Sequence, residues 1–182
     1  KPDTPMLTFI GRLDKRKRPE LFLELAKTFP EWTFAVVGRA ESELRDRQLR
    51  NQYEALPNVQ WEGYIDRFKE PERMHAVLAR TWVLVNTASR EGLPLTFMEA
   101  AGYGCAIVSE VNPDEFPVRF GRHVPDLDFA GALRALLATP EHAREKGRAA
   151  RDYILQVYEA ENAVTAHLDA YDRVLTRREG AQ

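Results

Sequence analysis

Trp82-Val83-Leu84-Val85-Asn86-Thr87-Ala88-Ser89-Arg90-Glu91-Gly92-Leu93-Pro94-Leu95 passes from an apolar block through a polar loop into a helical pattern. That pattern runs to Tyr103. Cys105-Ala106-Ile107-Val108-Ser109 then turns apolar again. Neither apolar block alternates with polar residues, so each reads as a strand covered on both faces. Two such strands joined through a helix pair in parallel, by a right-handed crossover.

The same alternation extends towards the N-terminus. Met6-Leu7-Thr8-Phe9-Ile10 is a strand ended by Gly11, and Trp32 to Val37 is a second, ended by Gly38. Val59-Gln60-Trp61 before Gly63 is a short third strand. Between them, Leu21, Phe22, Leu25, Ala26 and Phe29 recur at helical spacing behind Pro19, a residue suited to a first helical turn. Glu41 to Leu56 reads as an exposed helix anchored by Leu44, Leu49 and Tyr53, and another helix starts near Glu70. Beyond Asp128 the pattern is helical throughout, with Val164, Leu168, Tyr171 and Leu175 on one apolar face. The expected fold is α/β: a doubly wound, Rossmann-like parallel sheet of about six strands, helices on both faces and a helical C-terminal tail. Residues 1–182 form a single domain in this reading, a normal size for one core.

Composition removes several classes of function. The 26 basic and 28 acidic residues give a net charge of −2, which does not favour nucleic acid as a partner. The single cysteine, Cys105, reads as a small buried apolar residue and not as part of a disulfide scaffold. No stretch approaches the ~18 apolar residues of a membrane span. His75, His123, His142 and His167 lack metal-site spacing. Asp126-Leu127-Asp128 precedes a helix, where Asp128 serves as an N-cap and not as a metal ligand. Gly102-Tyr103-Gly104 follows a helix and enters a strand, the reverse of a dinucleotide loop. The arginines from Arg144 to Arg151 read as a solvated helix face.

In doubly wound sheets, ligands bind beyond the carboxyl ends of the strands. Two loops there carry suitable chemistry. In the first, Gly11 permits a tight turn, and Arg12 and Lys17 can reach an anionic group. A guanidinium binds phosphate through two parallel hydrogen bonds, and each charge-assisted bond is worth roughly 1.5–3 kcal/mol. In the second, Gly92 leads into a helix whose free amides and positive end suit an anion. Glu91 lies in that loop and Glu99 about one turn into the helix, so both can face one crevice. A carboxylate can grip neighbouring hydroxyls, as on a sugar or a ribose.

Taken together, Gly11-Arg12-Leu13, Lys17, Glu91-Gly92-Leu93-Pro94-Leu95, Glu99, Ala100 and Gly104 resemble the C-terminal domain of a family-4 glycosyltransferase of the GT-B fold. The likeness covers nearly the whole chain. It implies a retaining, metal-independent transferase without a cofactor, whose donor is a nucleotide-sugar, a UDP- or GDP-sugar above all. Arg12 and Lys17 would neutralise the diphosphate and the developing charge on the leaving group. Glu91 would hold the donor sugar and Glu99 the ribose hydroxyls. Amides around Gly92, Leu93, Leu95 and Thr96 would meet the diphosphate or the sugar, and the loops at Gly38 and Gly63 would flank the base.

The resemblance also implies a partner, the N-terminal acceptor domain of the same enzyme. The chain begins at Lys1 and nothing in it corresponds to that domain, so the expectation is a donor-binding half that is inactive alone. The expected location is the cytoplasm, with any contact at the inner membrane face made through the other domain. Three positions depart from the usual pattern: Pro94 and Arg18 stand where glycine is frequent, and Ser109–Asp114 lacks paired glycines. Two other readings stay open: a non-catalytic nucleotide-sugar-binding or regulatory module, and a sugar-nucleotide epimerase or phosphorylase of related fold.

Overall fold

A computed structural model describes residues 1–179. Six strands form one parallel sheet: β1 (Met6–Ile10), β2 (Thr33–Val37), β3 (Val59–Gly63), β4 (Val83–Asn86), β5 (Ala106–Ser109) and β6 (Gly121–His123). Their spatial order is β3-β2-β1-β4-β5-β6. The chain builds outward from β1 to β3, then crosses back to β4 on the other side of β1. That reversal is the switch point at which doubly wound sheets open a crevice. The loops after β1 and β4 therefore meet there.

Eight helices cover the sheet or extend from it: α1 (Pro19–Thr28), α2 (Glu43–Tyr53), α3 (Pro71–Arg80), α4 (Leu95–Gly102), α5 (Phe116–Phe120), α6 (Phe129–Leu136), α7 (Pro140–Val157) and α8 (Ala160–Glu179). Two apolar cores lie on opposite faces of the sheet. One holds Leu7, Phe9, Phe34 and Val36 against α1 and α6; the other holds Ala35, Val37, Leu84 and Ile107 against α3 and α4. Alternate residues of β2 thus point into different cores, as the period of two requires. Phe22 of α1 sits 5.8 Å from Phe9 and 5.3 Å from Phe34, ring centre to ring centre. Truncating so buried a ring costs about 3–5 kcal/mol.

Several local expectations hold. Pro19 opens α1. The Asp128 side chain accepts from the Gly131 amide at 2.8 Å and caps α6. Cys105 is fully buried, one residue ahead of β5. Other details change. Leu44 is 63% exposed and anchors nothing; the buried residues of α2 are Leu49 and Tyr53. The sixth strand lies at Gly121–His123, where no strand was readable. Its place beside β5 depends on a bare backbone, because a Cβ on Gly121 would lie 1.8 Å from the Ile107 carbonyl oxygen.

The tail helix α8 turns Val164, Leu168, Tyr171 and Leu175 outward, each more than half exposed. This apolar face has no partner within the described residues. Among those residues no helix is long and apolar enough to cross a membrane. No group of three or more acidic, histidine or cysteine side chains among them could hold a metal ion.

Candidate functional site

The loop after β1 is built around Asp14, which is nearly buried. One of its carboxylate oxygens accepts from the amides of Arg16 and Lys17, at 3.1 and 2.9 Å. The other pairs with Arg12 at 3.0 Å. Asp14 thereby curls the loop so that Lys17 turns back over Gly11, whose Cα region meets the lysine side chain. Arg12 remains 64% exposed, a cation reaching into open space.

The loop after β4 is tied to this one. The buried hydroxyl of Thr87 donates to the carbonyl of Lys17 at 2.7 Å. The Ser89 amide donates to the Arg16 carbonyl at 3.1 Å. Arg18 returns the contact: its Nε donates to the Thr87 carbonyl at 2.7 Å, and its guanidinium pairs with Glu110 in the loop after β5. Arg18 adopts a left-handed backbone, φ 48°. Its side chain gains three-loop contacts that glycine at this position would lack. Burial pulls its pKa down.

Lys17 and Glu91 form an ion pair, both largely covered. The loop after β1 and the loop entering α4 are thus joined through two side chains of opposite charge. At the start of α4, Leu95 and Thr96 present amides with no intrahelical acceptor. Pro94 contributes no N–H there. A Cβ built on Gly92 meets nothing within 4 Å, so the loop faces open space.

Glu99 lies further along α4. Its Oε1 accepts from Arg67 Nη1 at 2.6 Å, while Oε2 is closed off from solvent with no hydrogen-bond partner. Burial raises the Glu99 pKa, and the charge of Arg67 opposes that rise.

A cavity of about 310 Å³ lies at the ends of β1, β2 and β3. Ile10, Val37, Ile65 and Met74 give it an apolar floor, and Arg12, Arg39, Tyr64 and Arg67 ring it. Arg39 stacks over Tyr64, 4.8 Å from the ring centre. Gly11 and Gly38 line the cavity as well. Gly38 is required by close approach: its φ is 151°, and a Cβ there would lie 1.8 Å from the Gly11 carbonyl oxygen. Gly63 sits behind it, accepting from the Gly38 amide at 2.8 Å.

The fold therefore draws Gly11, Arg12, Lys17, Gly38, Glu91 and Glu99 to one side of the sheet. Leu93 is half-buried and packs against the core beneath α4, and the Leu95 side chain is exposed. Sequence reading missed Asp14, Arg39, Tyr64 and Arg67. None belongs to a periodic pattern; Arg39 reaches the cavity from the end of β2, and Tyr64 and Arg67 from beyond the end of β3.

An open parallel sheet with basic loops and two carboxylates near its switch point belongs to the class of doubly wound α/β domains, which bind ligands beyond the carboxyl ends of their strands. Within that class, residues 1–118 match the family model described as glycosyl transferases group 1, and the chain belongs to this family. Among solved structures, the sucrose-phosphate synthase of Thermosynechococcus elongatus gives a TM-score of 0.76 at 23% identity, over 96% of this chain and 46% of that one. HepE of Anabaena in complex with UDP gives 0.71 at 14% identity, over 93% and 49%. The C-terminal domain of a glycosyl transferase group 1 family protein from Francisella tularensis gives 0.66 at 19% identity, over 86% and 87%. At these identities the likeness is one of fold, that of a GT-B C-terminal domain. The chain spans less than half of the synthase and of HepE. No curated protein matches the chain by sequence.

Proposed function

We propose that this domain binds the nucleotide-sugar donor of a retaining, metal-independent glycosyl transfer of the family-4 type. The observation that carries the reading is a strand-end cavity lined by Gly11, Arg12, Gly38 and Arg67, with the Lys17 side chain against Gly11 and paired to Glu91, and Arg67 paired to Glu99. In this reading the base enters the cavity between Ile10, Val37, Tyr64 and Ile65. Glu99 accepts from the ribose hydroxyls. Arg12, Lys17 and the free amides at Gly92, Leu95 and Thr96 take the diphosphate, and Glu91 accepts from the sugar.

Cationic side chains and helix-end amides stabilise charge that grows on the leaving diphosphate, where other transferases use a metal ion. A pair of nucleotide phosphates bound by Arg12 and Lys17 makes several charge-assisted bonds, enough to bind without a metal. The acceptor and the remaining catalytic groups belong to an N-terminal domain of the same enzyme in this account, and the domain alone is inactive. UDP in the HepE structure favours a UDP-sugar as the first donor to test. A cytoplasmic setting fits a donor of this kind.

Amide spectra recorded by NMR during a UDP titration test the placement. Shifts concentrated at Gly11, Lys17, Tyr64, Gly92 and Thr96 support it. Shifts confined to the α7 and α8 surfaces contradict it.

A further inference from the structure

Arg67 appears in no motif, yet it is the charged side chain common to two hollows. It lines the strand-end cavity beside Gly38, Tyr64 and Ile65. It also lines a smaller hollow of about 190 Å³ with Met74, His75, Glu99 and Tyr103. Glu99 borders only the second of these. Arg67 thus stands between the carboxylate and the cavity, and its Nη1 grips Glu99 Oε1 at 2.6 Å.

The state of the carboxylate makes this contact informative. An ionised carboxylate offers about four acceptor sites. Arg67 fills one on Oε1, and Oε2 is buried with no donor. An unsatisfied buried acceptor is costly, so this group gains from any hydroxyl that reaches it. The α4 helix, rigid and packed through Phe97, Ala100 and Ala101, fixes the Glu99 backbone. Among the described ion pairs, Arg67 alone fixes its head group.

We propose that Arg67 is a positioning residue for nucleotide binding: it fixes the Glu99 carboxylate, so that the pair, and not Glu99 alone, selects a ligand with vicinal hydroxyls. This rests on the donor-binding reading above. Without the guanidinium, the carboxylate is free to turn, and a ribose with both hydroxyls loses its advantage over one lacking the 2′-hydroxyl.

The test is calorimetric titration of the chain, its Arg67→Ala variant and its Arg67→Lys variant. The probes are UDP and GDP, each against its 2′-deoxy counterpart. The wild type is expected to prefer the ribonucleotide by about ten-fold or more, the scale of a hydrogen bond to a charged group. In Arg67→Ala this preference falls to within about two-fold, because only the ribonucleotide loses affinity, and Arg67→Lys restores part of it. Equal loss for both nucleotides makes Arg67 a direct phosphate or base contact and overturns the proposal. An unchanged preference in Arg67→Ala overturns it too, and leaves the donor-binding reading intact. Failure of the wild type to bind either ribonucleotide contradicts the donor-binding reading, and this proposal with it.

Discussion

Lys17 Nζ and Glu91 Oε1 are ion-paired across the switch point, joining the loop after β1 to the loop that opens α4. The pair neutralises two charges that the proposed ligand would separate: the diphosphate draws the lysine, and the sugar hydroxyls draw the carboxylate. Both residues are mostly covered, so neither charge is freely hydrated before binding. In the proposed reading, this pair holds the two loops in register and exchanges partners when the donor arrives.

Glu91→Gln separates the two roles. The variant loses the charged acceptor for the sugar but releases Lys17 for the diphosphate. Nucleotide-sugar affinity is expected to fall by about ten-fold or more, while that of the bare diphosphate stays level or rises. Calorimetry on both ligands measures this. Equal losses for the two would place Glu91 away from the sugar.

Arg12→Ala tests the exposed cation. Arg12 is 64% exposed and paired only with Asp14, so its removal should change fold stability by no more than about 0.5 kcal/mol. Affinity for the nucleotide diphosphate should drop by about ten-fold, and that of the nucleoside should not change. A variant that binds the diphosphate as well as the wild type removes Arg12 from the site.

Glu99 gives a pH dependence with a definite sign. Burial raises its pKa in the folded domain. A raised acid favours the protonated form in the fold, so its own contribution to stability improves as pH falls. Binding runs the other way, because ribose hydroxyls need the carboxylate as acceptor. Nucleotide affinity should therefore start to fall at a pH above the ordinary glutamate range. Glu99→Gln should bind more weakly at neutral pH and lose this part of the acid dependence. Titrations between pH 4 and 8 check it, about the span in which such a group changes charge; identical profiles in the two proteins would refute it.

Gly38→Ala is a stability prediction. The new Cβ would meet the Gly11 carbonyl at 1.8 Å, and φ of 151° strains any other residue. Either β1 or β2 must shift at its end, at a cost of about 2 kcal/mol or more. Urea unfolding measures the loss. By contrast, Gly92→Ala meets open space and should leave the melting curve nearly unchanged.

How far the sequence could be read follows from what each element needs. Strands β1, β2, β4 and β5 were legible because both faces of the sheet are covered there and their residues are nearly all apolar, whereas the edge strand β3, with Gln60 and Glu62, was legible only through Val59, Trp61 and the Gly63 that ends it. β6 was not, since Gly121-Arg122-His123 has no apolar run and is a strand only because a bare glycine lets it lie against Ile107. Arg12, Lys17, Glu91 and Glu99 stood out as charged residues in the loops after β1 and β4 or in the helix that follows, and together through their resemblance to a glycosyltransferase pattern. Asp14 and Arg67 did not: one acts by folding a loop through its own amides, the other through a partner distant in sequence. The apolar face of α8 was legible as a pattern, and the structure leaves it exposed.

The most direct measurement is calorimetric titration of this chain with UDP, GDP and ADP, and with a sugar conjugate of each, in the presence of a metal chelator. The account predicts that one nucleotide binds selectively, that its conjugate binds as well or better, and that the chelator makes no difference. Binding of all three with equal affinity, or binding only after a divalent metal is restored, would contradict it.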